Sequence, residues 1–168
     1  CRWLPGEVHG PHLVVNIPEF RLHLLKDSLE EWSCGVIVGQ STRSTVVFSG
    51  RLNKVVFSPY WNVPRKILKE EILPEIKKNR GYLTRNHFEV RTLGVSPRTV
   101  PANTINWSKV DPEHFPYEIR QLPGAWNALG HVKFEFPNSY KIYLHDTPAK
   151  SLFEKPRRDF SHGCIRVE

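Results

Sequence analysis

Short runs of alternating apolar and polar residues dominate the first 60 residues of the chain. Residues 20–25 alternate with a period of two, which is typical of a strand with one covered face. A turn signal at residues 26–28 separates this run from a second apolar run at 32–38. Two shorter runs follow at 46–48 and 55–57. The pattern predicts an antiparallel meander with tight corners.

The pattern changes after residue 64. Apolar residues in the stretch 65–79 recur at helical spacing, and Pro74 is expected to divide it into two short helices because proline interrupts a helix. Residues 80–124 are loop-rich, with several prolines and recurring aromatic residues. A polar segment of this length with its own aromatic side chains is typical of an inserted subdomain. We therefore predict a helical and loop-rich capping insertion, or lid, over about residues 65–124.

Strand signals return near the C-terminal end, at residues 132–136 and 140–144. Together with the meander they predict one mainly β domain over residues 1–168, built on a curved mixed or antiparallel sheet. Every apolar run is shorter than the roughly 18 residues that a membrane-spanning helix needs. We therefore predict that this chain itself does not cross a bilayer.

Charge and composition narrow the classes of partner. The chain has 168 residues, and its 24 lysines and arginines against 17 acidic residues give a formal charge of +7. Such a charge favours an anionic partner. The basic residues are dispersed and no nucleic-acid module is recognisable, so nucleic acid is not expected. The absence of a glycine-rich phosphate-binding motif argues against a dinucleotide or nucleoside triphosphate enzyme.

The two ends of the chain suggest a trimmed catalytic piece. The sequence contains no methionine, begins with Cys1 and ends at Glu168, close behind Cys164. We expect a signal or anchor to precede residue 1. We also expect the 168-residue piece to be weakly active or inactive by itself, and a longer chain to be active.

The three cysteines are too few and too widely spaced for a disulfide framework. Cys34 lies in a strand-like run, so we interpret it as a small apolar core residue. Cys164 has a different setting, directly after the flexible Gly163 and two positions after His162. A thiol needs a base or a positive environment to act as a nucleophile near neutral pH, and histidine supplies one.

Two histidines are candidates for that base. His145 directly follows the last predicted strand, whereas His162 lies in the same loop as Cys164. Side chains two residues apart on a turn point in different directions, so we predict His145 as the base. Gly163 allows a sharp turn in which consecutive N–H groups converge on an oxyanion. The residues alone leave two alternatives open: a zinc site of His145, His162 and Cys164, or Cys164 as a plain core residue.

These residues resemble a known family. His145 followed by the block Ser161-His162-Gly163-Cys164-Ile165-Arg166 is similar to the signature of YkuD-type L,D-transpeptidase catalytic domains. The segments Trp61-Asn62-Val63-Pro64 and 142–148 resemble the YcbB-like branch, which carries a capping insertion. The resemblance covers residues 13–168 and implies the β-sandwich-like fold of that family.

The resemblance also implies a reaction. Cys164 would attack the tetrapeptide stem of a donor peptidoglycan strand, release D-alanine and form a thioester. Transfer to an amine on an acceptor stem would then give a 3–3 cross-link in cell wall biogenesis. His145 would be the general base and acid, and no metal or organic cofactor is implied. The remaining motif residues would form or support the oxyanion hole: Ser161, His162, Gly163 and Arg166.

Residues near the motif have two interpretations each. Tyr143 lies two positions before His145 on the same strand face, where it either lines the substrate groove or fills the core. Asp146 either orients the imidazole, which a nearby backbone carbonyl can also do, or forms a turn before Thr147. The basic stretch that includes Arg157 either attracts stem carboxylates or is a solvated face.

Peptidoglycan as substrate implies a location in the periplasm or cell envelope. The implied partners are the donor tetrapeptide and the acceptor amine, with an outer-membrane lipoprotein as a further acceptor and carbapenems as inhibitors. If water is the acceptor, the domain is an L,D-carboxypeptidase or endopeptidase. A second alternative, of a different class, is a catalytically silent module that binds the cell wall.

Overall fold

The computed structural model describes residues 10–168, which divide into two compact units. The first contains the described chain up to Phe57 together with His131–Glu168, and the second is Ser58–Gly130. The predicted insertion at about residues 65–124 lies within the second unit. Its function as a cap stays a prediction.

The described residues contain twelve strands and three short α-helices. The strands of the first unit are β1 His12–Asn16, β2 Arg21–Lys26, β3 Leu29–Gly39, β4 Lys54–Phe57, β9 Val132–Glu135, β10 Leu144–His145, β11 Asp159–Ser161 and β12 Ile165–Val167. The second unit contains β5 Trp61–Asn62, β6 Phe88–Thr92, β7 Thr99–Val100 and β8 Tyr117–Gln121, with α1 Arg65–Ile67, α2 Leu73–Lys78 and α3 Tyr82–Arg85. The prediction of a mainly β fold is therefore confirmed.

One mixed sheet organises the first unit. Its strand order is β1-β2-β3-β12-β10-β9-β4, and β11 pairs with β3 outside that path. Of the predicted antiparallel meander, the hairpin of β2 with β3 is confirmed, and β1 extends it on the far side of β2. The predicted strand at 55–57 does not continue the meander, because β4 pairs with β9. Asp27 and Ser28 between β2 and β3 both have positive φ, at 50° and 67°, which matches the twist of a two-residue hairpin. The parallel pairing of β10 with β12 brings two distant segments of the sequence together.

Aliphatic residues from the central strands form the core of this unit. The buried set is Leu22, Val36, Val38, Ile142, Leu144 and Ile165. Burial of each such side chain contributes about 1.5–3 kcal/mol. Because β3, β10 and β12 supply most of these residues, the strands that carry the sequence motif are anchored in the core.

Two predicted strands of the first unit are corrected. Residues 46–48 are not in a strand, and Phe48 is held instead by ring contacts to Phe136 and Tyr140, at centroid distances of 5.7 and 5.3 Å. In the predicted strand 140–144 only Leu144 is in β10. The reason is Asn138, whose side chain bonds the backbone N–H and carbonyl of Ile142 and so replaces a strand ladder.

The second unit contains a helical segment that differs from its prediction. Between α1 and α2 the chain forms one π-helical turn, Leu68–Ile72, in which the Leu73 N–H donates to the Leu68 carbonyl. Pro74 lies in the first turn of α2, where its missing N–H has no consequence for the helix. The stretch therefore contains two short α-helices, with Pro74 at the start of the second as expected, but the π-helical turn joins them without a break.

The second unit also contains more sheet than its sequence suggested. Strands β5, β8, β6 and β7 pair in that order, so the insertion is helical and β rather than helical and loop-rich. The sequence did contain a signal for these strands. Phe88 and Val90 alternate with charged residues, and Ile119 lies between charged neighbours. Val90 and Ile119 are both 1% exposed and pack against the helical segment. No helix in residues 10–168 is long and apolar enough to cross a membrane.

Candidate active site

The parallel pairing of β10 and β12 places the motif cysteine beside the histidine strand. Leu144 is in register with Ile165, and His145 with Arg166. Cys164 and Tyr143 directly precede these strands, and the Ile165 N–H donates to the Tyr143 carbonyl at 3.1 Å. The Cys164 thiol donates to the Lys141 carbonyl, with Sγ and oxygen 3.8 Å apart. The thiol therefore lies at the start of two core strands.

The loop before Cys164 is held by side-chain hydrogen bonds. Ser161 is 2% exposed, and its hydroxyl accepts from the Gly163 N–H at 3.1 Å and donates to the Cys164 carbonyl at 2.5 Å. Gly163 has a φ of 115°, a conformation that favours glycine, as its position in the motif suggested. Since the Gly163 amide already has an acceptor in the loop, we do not assign it to the oxyanion hole.

A second buried hydroxyl holds this loop from the other side. Thr45 is 8% exposed, and its hydroxyl accepts from the Gly39 N–H and donates to the Gly163 carbonyl, both at 2.9 Å. The end of β3 is thereby joined to the cysteine loop. Sequence reasoning did not single out Thr45, because nothing near it in the chain indicates a partner 118 residues away.

His145 is buried and oriented by the backbone. Its side chain is 5% exposed, and Nδ1 lies 2.5 Å from the Asp146 carbonyl oxygen. A carbonyl can only accept, so Nδ1 carries the hydrogen and Nε2 has a free lone pair. Burial lowers the pKa of His145 to about 4, against the raising effect of that hydrogen bond. The imidazole is therefore neutral at physiological pH, the form that a general base requires.

The carboxylate of Asp146 stabilises the local chain and does not orient the imidazole. It accepts hydrogen bonds from the N–H groups of His131 and Thr147 and from Lys150 Nζ, at 2.8, 2.7 and 2.7 Å. Burial opposes its charge, yet these bonds hold the pKa of Asp146 below its ordinary value. Of the two interpretations for Asp146, its side chain follows the turn-forming one, and its backbone carbonyl orients the imidazole.

Tyr143 contacts both sequence-predicted catalytic side chains. Its ring lies 5.6 Å from the His145 ring, centroid to centroid. Burial, the charge of Cys164 and a hydrogen bond to that thiol all raise the pKa of Tyr143, so its hydroxyl stays protonated. The hydroxyl and backbone N–H of Tyr143 both favour the thiolate of Cys164. Tyr143 therefore contacts both Cys164 and His145, and its role in a reaction stays a prediction.

Burial keeps the thiol of Cys164 protonated at rest. Desolvation raises its pKa above the ordinary value, and the groups that lower it only partly compensate. Those groups are Tyr143, Lys133 and Arg166. Because the pKa of His145 is low and that of Cys164 is high, a resting thiolate–imidazolium pair is disfavoured. A thiol in this state needs a base to take its proton before it can act as a nucleophile.

Lys133 and Glu135 on β9 were missed by sequence reasoning. Lys133 is in register with His145, and its Nζ lies 4.0 Å from the centroid of the Tyr143 ring and 2.7 Å from Glu135. The Lys133 side chain is only 19% exposed. The signal was available, because charged residues alternate with apolar ones along a strand beside the motif.

The remaining sequence-predicted residues have other positions. Arg158 donates to four backbone carbonyls and so holds the chain, whereas Arg157 forms a bidentate pair with Asp159, at 2.9 Å for both contacts, on a side chain that is 76% exposed. His162 is exposed on the loop. Among residues 10–168 no three metal-ligating side chains cluster, which removes support for the zinc alternative. Cys34 and Cys164 are free thiols, and Cys1 lies outside the described residues. Cys34 is half-buried, and desolvation raises its pKa, in keeping with an apolar role.

Comparison with known proteins shows the family of this chain. The family model described as YkuD, the L,D-transpeptidase catalytic domain, matches residues 10–168. A Haemophilus influenzae protein named "Putative L,D-transpeptidase" is 38% identical over 156 residues, which cover 93% of this chain and 31% of that protein. The chain thus spans about a third of the length of that relative. By the extent of the family match, the chain belongs to the YkuD family of L,D-transpeptidase catalytic domains.

Proposed function

We propose that this domain is a peptidoglycan L,D-transpeptidase with Cys164 as its nucleophile and His145 as its base. The observation that carries the proposal is the imidazole. It is buried, neutral and oriented through Nδ1, which leaves Nε2 as a proton acceptor in the strand beside the cysteine strand. The family match supplies the substrate class, the stem peptides of peptidoglycan.

The first half-reaction transfers an acyl group to sulfur. Sγ of Cys164 bonds to the carbonyl carbon of the L,D amide in a donor tetrapeptide stem, and Nε2 of His145 takes the thiol proton. Breakdown of the tetrahedral intermediate cleaves the C–N bond, and His145 returns the proton to the departing amine of D-alanine. The product is a thioester on Cys164. The raised pKa of the thiol supports proton removal in step with attack rather than a preformed thiolate.

The oxyanion formed in this step needs N–H donors close to the thiol. The backbone N–H of Tyr143 already favours negative charge on Sγ, so it lies close to the atom to which the substrate carbonyl would bond. We assign the oxyanion hole to the backbone amides of Tyr143 and Cys164. The set implied by the family resemblance is thereby reduced, because the Gly163 amide donates to Ser161.

The second half-reaction uses an amine on an acceptor stem. His145 removes a proton from the attacking nitrogen, the new amide forms, and the Cys164 thiol is regenerated with that proton. The result is a 3–3 cross-link. Capture of the thioester by water instead gives a shortened stem and makes the domain a carboxypeptidase. Location in the periplasm or cell envelope, a lipoprotein acceptor and acylation by carbapenems belong to the same proposal.

Purified protein incubated with tetrapeptide-stem muropeptides tests the proposal. We expect cross-linked dimers and released D-alanine from wild type, and neither from Cys164→Ala. His145→Ala should lose at least about 100-fold in acylation rate, since general-base catalysis contributes on that order. His162→Ala is the matched control. It removes the histidine in the loop of Cys164 and keeps the proposed base, so we expect it to retain acylation.

Three results would separate the possibilities. Shortened monomers without dimers would replace the transferase by a hydrolase. Unchanged muropeptides retained by the protein would favour the silent wall-binding module. Loss of acylation in His162→Ala with full activity in His145→Ala would refute our choice of base.

A further inference from the structure

A cavity of about 460 Å³ opens beside the candidate nucleophile. It lies wholly in the first unit, between the outer strands β4 and β9 and the segment that leads into β10. Two of its lining residues touch the thiol, since the Lys141 carbonyl accepts from Sγ and the Tyr143 hydroxyl bonds to it. A group bound in this cavity would therefore lie close to the reacting atoms.

The cavity has an excess of positive charge. Lys54, Lys133 and Lys141 line it against a single acidic residue, Glu135. Glu135 lies 2.7 Å from Lys133 and 3.3 Å from Lys54, and the hydrogen bond from Lys133 is the main cause of its lowered pKa. Glu135 thus stays ionised, and three lysines and one carboxylate leave a formal charge of +2.

The three lysines differ in how far they are committed to other contacts. Lys133 is held between Glu135 and the Tyr143 ring, and its side chain is 19% exposed, so it belongs to the surroundings of the thiol. The Lys54 side chain is 63% exposed and only loosely paired with Glu135, and Lys141 is also exposed. Lys54 and Lys141 can therefore turn to an incoming anion at small cost.

We propose that this cavity is a subsite for a carboxylate of the stem peptide, with Lys54 and Lys141 as its cations. The inference rests on the proposed function, in which a stem peptide reacts at Cys164. Two stem carboxylates come near the reacting atoms. One is the terminal carboxylate of the D-residue that leaves, which is bonded to the carbon next to the scissile nitrogen. The other is the carboxylate beside the attacking amine of the acceptor.

Neither Arg157 nor Arg158 lines this cavity. The Arg157 guanidinium is paired with Asp159, and Arg158 is occupied by backbone carbonyls. The sequence suggested that the stretch around Arg157 attracts stem carboxylates. We assign this role instead to Lys54 on β4 and to Lys141 in the segment before β10. A charge-assisted hydrogen bond to such a carboxylate should change affinity about 10- to 150-fold, with an exposed lysine at the lower end.

The test uses binding, so that it does not depend on turnover. The Cys164→Ala protein cannot react, and its dissociation constant for the tetrapeptide is measured by calorimetry. Three ligands are compared: the free acid, its C-terminal amide, and the peptide amidated at the diaminopimelate carboxylate beside the free amine. The same set is measured after adding Lys54→Gln, Lys54→Arg, or Lys54→Gln with Lys141→Gln. Lys26→Gln on β2 is the matched control, because it removes the same charge from an exposed site far along the strand order.

The expected result is a free acid that binds about 10-fold more tightly than one of the amides. That preference should disappear in the Gln variants and persist in Lys54→Arg and Lys26→Gln. Weaker binding of the C-terminal amide identifies the carboxylate of the leaving residue as the source, and weaker binding of the other amide identifies the diaminopimelate carboxylate. Equal binding of all three ligands, or an equal loss for all of them in Lys54→Gln, overturns the subsite. Acid-selective binding by a protein that forms no thioester would leave the subsite standing and refute the proposed function.

Discussion

The buried imidazole of His145 makes the stability of the folded domain depend on acid. Its pKa falls from the ordinary 6.5 to about 4 because burial disfavours the charged ring, with Arg166 and Lys133 adding to the effect. In the unfolded chain the ring keeps its ordinary pKa. Between these two values the unfolded chain binds a proton that the folded domain does not. The contribution of His145 to the free energy of unfolding is therefore fully present above about pH 6.5 and is lost as the pH falls towards 4.

The size of this effect follows from the two pKa values. Each pH unit in the interval costs about 1.4 kcal/mol, so between pH 7 and pH 4.5 the contribution of His145 is a loss of about 2–3 kcal/mol. The side chain is 5% exposed, so little solvent screening reduces it. Below the folded-state pKa both forms are protonated and the loss levels off.

Urea unfolding at a series of pH values between 4.5 and 7.5 measures the effect, with wild type compared to His145→Gln. Glutamine has no such titration, and its amide can still donate to the Asp146 carbonyl. Contributions of all other groups cancel in the difference between the two curves. We expect His145→Gln to lose about 2–3 kcal/mol less than wild type across the interval. Parallel curves for the two proteins would refute the assignment of a buried neutral imidazole. His131→Gln, at an exposed position, controls for loss of a histidine as such.

Three further predictions concern the cysteine loop. Ser161→Ala removes a buried hydroxyl with two hydrogen bonds and should cost about 2–4 kcal/mol in urea unfolding, whereas the exposed Ser151→Ala should cost under about 0.5; a Ser161→Ala midpoint equal to wild type would contradict this. In Gly163→Ala the new Cβ has room, because its nearest neighbour lies 3.7 Å away. Strain at the positive φ alone should therefore lower the free energy of unfolding by about 1–3 kcal/mol. A thermal midpoint unchanged from wild type would speak against a strained φ. Tyr143→Phe removes a hydroxyl that favours the thiolate, so the pH midpoint for alkylation of Cys164 by iodoacetamide should move upwards; a downward move would show that the hydroxyl does not stabilise the anion.

Several elements of the fold could be predicted from local pattern. The alternation at residues 20–25 and the turn at 26–28 predicted β2 and its hairpin with β3, because strand period and turn chemistry are properties of neighbouring residues. The prediction of a strand over residues 140–144 was wrong because a side chain interferes with the backbone pairing. The apolar alternation was correct, but the side chain of Asn138 takes the backbone bonds that a strand would use.

The sequence alone determined the chemistry of the candidate site. The block from Ser161 to Arg166, with His145 at a set distance, predicted the thiol, the proposed base and the glycine that turns the loop. The family match supports the family that this block resembles. These are statements about which residue types are present and how far apart they lie. A single chain can carry that information because the block is local.

Only the tertiary structure decided how those groups are supported. The parallel pairing of β10 with β12 brings Tyr143 to Cys164, and the Asp146 carbonyl rather than its carboxylate orients His145. Thr45, Lys133 and the lysine-lined cavity come from strands far away in the chain. Burial sets the protonation of the thiol and the imidazole, and burial depends on every strand that packs around them. Residue types therefore follow from the sequence, whereas the pKa values, the hydrogen-bond partners and the charge beside the thiol follow from the fold.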